Sequence, residues 1–291
     1  MDTILSVHHL PQAGETLMAR SKSSIPGGKG ANQAIGVGRL NGQVSIIGRL
    51  GNDSKGREIY RSLLDNNVDA GGIVFDNKNV TGSAYIVLDE SGNNTITVDG
   101  GANDSFDPRQ LAKAKKIIAN STYALMQTEI PLETVKAAIR ICREHGVRII
   151  LKPAPPVVLP DEYFRDLFLL IPNEMEAKYL CPGTTNIEEQ AEFFISKGVK
   201  NVIITLGING ALYSNGTRKS YHPAFDFTPV DTTGASDAFI SAFSVFLSEG
   251  HSIEESIHFA NYAAGLSITR EGVQPSLPER ERMAEFEKGL K

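Results

Sequence analysis

Cysteine is scarce in this chain. Cys142 and Cys181 are the two in 291 residues, far apart, with no histidine or second cysteine at ligand spacing. Neither a thiolate zinc site nor a disulfide framework is expected, and a reducing compartment fits. Positive charge is short as well: 29 Lys and Arg face 34 Asp and Glu, the formal net charge is −5, and no basic stripe stands out. Binding a nucleic-acid backbone requires clustered cations that displace counterions, so nucleic acid is not an expected partner. No run approaches the roughly 18 apolar residues of a membrane span, and no charged-then-apolar leader opens the chain. A membrane is therefore not an expected partner, and the cytoplasm is the expected address. Tandem repeats and low-complexity tracts are missing too.

What is present is ordinary globular composition, 41% apolar and 22% charged, in a chain long enough for one large α/β domain or a domain with a smaller appendage. Strand-like runs alternate with helical ones, the mark of βαβ units and a mostly parallel sheet flanked by helices. Residues 44–51, 147–153 and 201–207 read as buried strands, and 210–216 as a hairpin arm closing on Asn-Gly. Residues 132–146, 187–198, 235–249, 253–269 and 279–290 read as helices. Two segments break this rhythm. In 3–23 and 81–98, strand-like runs are divided by Pro, Gly and Asn, and each segment is too small to own a core. They are expected to pair into one small β-sheet lid, residues 3–24 with 81–98, over a core of 25–80 and 99–291.

Two motifs carry chemistry. In "PVDTTGASDAFISAF" (229–243) small residues stand where a strand turns into a helix, so the amides of Gly234, Ala235 and Ser236 would point unpaired into one pocket. Such amides and the helix dipole attract phosphate oxygens and would stabilise charge on a phosphoryl group in transfer. Asp237, in the first turn, either caps the helix or accepts a proton from an attacking hydroxyl. The second motif is "IPGGKGANQAIGVGRL" (25–40). It lacks the GxxxxGK[ST] pattern of a P-loop, and no GxGxxG fingerprint follows a strand, which argues against a dehydrogenase. A tight glycine turn before a packed helix is the simplest account. Lys29 and Asn32 within such a turn would also suit a polyhydroxylated ligand.

Together, "GGKGANQA" and "DTTGASDAF" resemble the two signatures of the ribokinase family of carbohydrate kinases. "MQTEIP" (126–131), "LKPAPP" (151–156), "IPNEMEAKYL" (171–180), "VIITLGINGA" (202–211) and "FANYAAGLSITREGVQPSLP" (259–278) resemble further family segments in the family's order. The resemblance covers nearly the whole chain. It implies transfer of the ATP γ-phosphoryl group to the primary 5-hydroxyl of D-ribose, with Asp237 as general base and the 234–236 amides as anion hole. Asp2, Gly28, Lys29, Asn32 and Glu129 would contact the sugar, and Thr205, Gly207 and Asn261 the nucleotide. Asn173 and Glu176 would hold Mg²⁺ through waters, although N-x-x-E at a helix start is also a capping box. Asp231, Thr233, Gly272 and Ser276 match the stretch where ribokinases hold an activating K⁺, and a homodimer through the lid is implied. A kinase of another small sugar or nucleoside, such as deoxyribose, and a non-catalytic binding relic are the rival readings.

Three departures stand out. Ser236 replaces the usual glycine before the base, which strains the backbone only if that position needs a positive φ. Lys152 stands where ribokinases usually carry Asn and is expected to extend into solvent. Family members open with an apolar strand ending in a G-S-x-N-x-D-like segment, whereas "MDTILSV" matches only its tail, so a shortened chain without the first strand of the main sheet is expected.

Overall fold

The apolar runs bounded by glycine become strands, and their order is that of a wound α/β protein. A computed structural model describes residues 1–289. The chain begins with β1 (Asp2–Ser6), β2 (Ser21–Ile25), α1 (Lys29–Arg39), β3 (Ser45–Gly51), α2 (Ser54–Asp65), β4 (Asp69–Asp76), β5 (Ser83–Leu88) and β6 (Asn94–Asp99). It continues through α3 (Pro108–Lys113), α4 (Lys115–Ala119), β7 (Tyr123–Gln127), α5 (Leu132–His145), β8 (Arg148–Lys152), α6 (Asp161–Phe164), β9 (Leu167–Leu170), α7 (Glu174–Leu180), α8 (Ile187–Ser196) and β10 (Val202–Thr205). It closes with β11 (Ala211–Ser214), β12 (Lys219–His222), α9 (Ala235–Ser248), α10 (Ile253–Ser267), α11 (Val273–Ser276) and α12 (Arg280–Gly289). Residue 290 of the expected last helix lies outside the described residues.

The main sheet has six strands in the order β12-β11-β10-β9-β8-β7. β7 to β10 run parallel, and β11 and β12 extend them as an antiparallel hairpin turning at Asn215-Gly216, where Gly216 has φ 85°. Both faces of β8 to β11 are covered, so these strands are largely apolar rather than alternating, whereas the edge strand β12 (KSYH) is polar and half exposed. In β8, Ile149 and Leu151 face a core with Val135 and Ile139 of α5, while Ile150 faces Phe239 and Phe243 of α9 and Ile257 of α10. α9 is buried from Asp237 to Phe246, apolar on nearly every side as a helix inside a core must be. Its phenylalanines therefore fix where its first turn stands, and truncating Phe243 should cost about 3–5 kcal/mol.

The two off-rhythm segments form one four-stranded sheet, β2-β1-β5-β6. β1 pairs antiparallel with β2 and parallel with β5, and β5 antiparallel with β6. The parallel sheet is divided in one place: β3 pairs with β4 alone, and β7 with β8 alone, among the described residues.

Candidate active site

Parallel α/β sheets offer ligands the crevice beyond the carboxyl ends of their strands. There the chain places Gln127 at the end of β7, Lys152 at the end of β8, Asn173 just past β9 and Thr205 at the end of β10. The start of α9 joins them from across the crevice. Gly234, its N-cap, has φ 82° and ψ 0°, a left-handed conformation that glycine adopts without strain. A Cβ there would also overlap the Val273 side chain. Ser236 lies one turn-position inside the helix and does not have a positive φ. The glycine-to-serine departure therefore costs no backbone strain. Ala235 N–H makes a long bond of 3.4 Å to Thr232 O, and the amides of Gly234 and Ser236 have no partner within the chain among the described residues. A half-buried row of amides at the start of a 14-residue helix has the geometry that attracts phosphate oxygens.

Asp237 is 5% exposed, and two side-chain amides hold it. Asn32 Nδ2 donates to Oδ2 at 3.1 Å and Gln33 Nε2 to Oδ1 at 2.9 Å. Both donors are themselves anchored. Gln127 Nε2 donates to Gln33 Oε1, while Gln274 Nε2 donates to Asn32 Oδ1 at 3.2 Å and in turn accepts from Ser62 Oγ at 2.8 Å. Burial pushes the Asp237 pKa up, and the two amides and the lysines at 29 and 152 oppose it. The carboxylate is thus oriented and more basic than a surface aspartate. It stands one residue from the amide cradle.

The glycine turn supplies the opposite wall. Gly28, φ 96°, caps α1, and Lys29 N donates to Glu129 Oε2 at 3.1 Å while Lys29 Nζ lies 3.5 Å from Glu129 Oε1. Burial raises the Glu129 pKa against the pull of Lys29. Burial also works against the Lys29 ammonium, but the carboxylates around it, Glu129 foremost, outweigh it and hold its pKa above the ordinary lysine value. Asp2 lies against the same turn, close enough that a side chain at Gly27 would overlap its carboxylate. Burial lifts its pKa too. Contacts thus join Asp2 to the glycine turn, Lys29 to Glu129, and Asn32 to Asp237, and the charges of Asp2, Glu129 and Asp237 all act on or are acted on by Lys29.

Asn173 and Glu176 form the capping box of α7: Asn173 Oδ1 accepts from Glu176 N, and Glu176 Oε2 from Asn173 N, each at 2.8 Å. A bridge to Thr205 draws this helix start to the end of β10, beside Gly207. Lys152 corrects an expectation. It is 3% exposed, not extended into solvent, and its Nζ lies 2.6 Å from Glu176 Oε2, because the end of β8 is roofed by the start of α7. Burial pulls its pKa down and Glu176 pulls it back up. Asp231 ties two loops, accepting from Thr233 N at 2.9 Å and Gly272 N at 3.0 Å, and Ser276 Oγ donates to Val273 O. Asn261, on α10, donates to His222 O and Pro223 O and so pins the exit of β12.

Unpaired amides at a helix start beside a buried, oriented carboxylate and a cluster of polar side chains are an arrangement suited to phosphoryl transfer onto a hydroxyl. Residues 1–280 match the pfkB family of carbohydrate kinases, and the chain belongs to that family. It is 40% identical over 286 residues to the ribokinase of Bacillus subtilis (strain 168), covering 98% of this chain and 96% of the relative. It is 31% identical over 291 residues to a deoxyribokinase of Salmonella typhi, covering 98% and 95%. The structure of the Arabidopsis thaliana ribokinase complexed with ribose and ATP superposes with a TM-score of 0.92 at 31% identity, covering 98% of this chain and 94% of that one.

Sequence reasoning missed Gln33, Gln127, Gln274 and the burial of Lys152. Gln33 left a signal: it is a long polar side chain on the buried stretch of α1, beside Asn32 and followed by small and apolar residues from Ala34 to Gly38, and it is 1% exposed. Gln127 and Gln274 left none, since their partners come from distant segments.

Proposed function

We propose that this protein is an ATP-dependent ribokinase that transfers the γ-phosphoryl group of ATP to the primary 5-hydroxyl of D-ribose. The observation that carries it is Asp237, a buried carboxylate with both oxygens held by amides, one residue inside the cradle at Gly234, Ala235 and Ser236. Asp2, Gly28, Lys29, Asn32 and Glu129 bind the sugar hydroxyls. Asp237 accepts the proton of the attacking hydroxyl, and the amides at the start of α9 take up the charge of the phosphoryl group as it moves. Thr205, Gly207 and Asn261 line the nucleotide side. Asn173 and Glu176 present the oxygen donors that a hydrated Mg²⁺ takes, and the ion when bound neutralises phosphate charge. Asp231, Thr233, Gly272 and Ser276 gather oxygens from two loops, a set that fits K⁺ as activator.

The small sheet serves as a lid, and a second copy of the chain covers its open face. Register supports this: Asp2, Ala84 and Val98 lie opposite one another, as do Ile4, Ile86 and Ile96, so the face that carries Asp2 also carries an apolar strip. β6 ends that sheet with every residue exposed, Ile96 at 56% and Val98 at 69%. An edge of this kind is a template for pairing. The expected address is the cytoplasm.

The deoxyribokinase relative favours 2-deoxyribose as the second acceptor. ADP release from ATP and Mg²⁺ is measured with ribose, 2-deoxyribose, fructose and adenosine, with and without K⁺. Ribose-dependent turnover that K⁺ raises, falling about 10²–10⁴-fold in Asp237→Asn, is expected. Turnover confined to 2-deoxyribose would transfer the assignment to that sugar, and folded protein that is silent with every acceptor would refute a kinase.

A further inference from the structure

Six ionisable side chains gather around the turn at Gly28 and the carboxyl edge of the sheet, and the kinase reading uses five of them: Asp2, Lys29, Glu129, Glu176 and Asp237. Lys152 is the sixth. Its ammonium is sealed from solvent at 2.6 Å from Glu176 Oε2, and the charges of Asp237 and Lys29 both reach it. Two basic side chains here face four acidic ones. A buried lysine on a capping glutamate could be structural, to complete the cap. The chain's other capping boxes argue against that. In α3 the third residue is the uncharged Gln110, and in α10 Glu255 closes the box on Ser252 with no lysine, the imidazole of His251 lying 3.9 Å away. The cap of α7 is complete in the same way once Glu176 Oε2 accepts from Asn173 N. Lys152 is therefore additional to it.

Position gives the additional cation its use. The attacked phosphorus must lie next to the carboxylate that takes the hydroxyl proton, so the γ-phosphoryl group lies within reach of groups that flank Asp237. Lys152, at the end of β8, is near enough that the charges of Asp237 and Lys152 act on one another. It brings a compact charge on a flexible four-carbon stem, which suits a contact that changes partner. Resting on the kinase reading, we infer that Lys152 is a phosphate-contacting residue: its ammonium exchanges Glu176 for the oxygens of the transferred γ-phosphoryl group, leaving Glu176 to a hydrated divalent cation. No covalent bond to the lysine forms. The exchange replaces one charge-assisted hydrogen bond with another and keeps every buried charge partnered.

The test is equilibrium binding by calorimetry in EDTA, so that no divalent ion contributes, comparing ADP with β,γ-methylene ATP. In the unmodified protein the triphosphate analogue should bind more tightly than ADP. Lys152→Asn should erase about tenfold of that preference while ADP affinity and ribose-induced stabilisation persist, the size expected for one charge-assisted hydrogen bond. Because Lys152→Asn leaves Glu176 buried without its cation and could unfold, Glu176→Gln is measured beside it. Gln still completes the cap, as Gln110 does in α3, and it releases the lysine. Tighter metal-free binding of the analogue by Glu176→Gln supports the exchange. An unchanged or weaker affinity there, or an equal loss for both nucleotides in Lys152→Asn, overturns it. If the unmodified protein binds neither nucleotide and releases no ADP with any sugar, the kinase reading itself has failed and this inference with it.

Discussion

For the role proposed for it, Asp237 must be basic enough to take a proton and still be ionised at the working pH. Burial lifts its pKa above the ordinary 3.8, and the Asn32 and Gln33 amides keep that rise in check by donating to the charged form. Because the group works deprotonated, kcat/KM should fall with acid through a limb lying above pH 3.8. Gln33→Leu removes the donor to Oδ1, so the limb should move to higher pH and kcat should drop roughly 10–100-fold with KM for the sugar little changed. A pH–rate profile of both proteins checks this; a limb that stays in place would show that Gln33 only fills space. Protein stability carries the opposite sign to an ordinary paired aspartate. A folded-state pKa above the unfolded one means that the folded state holds more protons in that window, so Asp237 contributes a loss of stability as pH rises through it. Asp237 was legible in the sequence as a carboxylate in a first turn, but its two amide holders were not, since a hydrogen bond between residues about two hundred positions apart leaves no local pattern.

At the scale of elements, α9 owes its placement to its apolar faces and its chemistry to its first turn. Gly234 is the joint between the two. Gly234→Ala meets a backbone strain of about 1–3 kcal/mol as well as overlap with Val273, and should lower Tm and abolish turnover. Adding Val273→Ala removes the overlap but not the strain. Recovery of Tm and activity in the double variant would show that space rather than φ is what requires glycine. The elements themselves were legible wherever period and punctuation agreed. α5 begins after Pro131 and stops at Gly146, whose φ of 70° is the left-handed C-cap that the glycine promised. The expected strands 44–51, 147–153 and 201–207 appear as β3, β8 and β10, trimmed at their ends. The division of the parallel sheet was not legible in those runs, because strand propensity says nothing of which neighbour a strand will find.

At the scale of the molecule, the proposed homodimer makes its own demand. Val98→Glu places a charge in the centre of the apolar strip on the small sheet, where burial against a second copy would cost a pairing partner or ionisation. Sedimentation should show a dimer for the unmodified protein and a monomer for Val98→Glu. Since the same face carries Asp2, KM for the sugar should rise several-fold more than KM for ATP. A variant that remains dimeric with unchanged KM would refute the lid as the interface.

Two off-rhythm segments, 3–23 and 81–98, could be seen in the sequence as too small to fold alone, and pairing followed because unpaired strand edges need partners. The sequence by itself also determined the α/β class, the glycine-built turns and the carboxylate at the mouth of α9, because period, glycine and capping act over a few residues. Only the tertiary structure decided that Gln33 and Asn32 grip Asp237, that Lys152 turns inward onto Glu176, and that Asp2 of the small sheet reaches the turn at Gly27. Those contacts depend on which distant strand ends and helix starts share one crevice. Burial there reverses what exposure would have allowed: a lysine that would have extended into water is held dry against the carboxylate of Glu176.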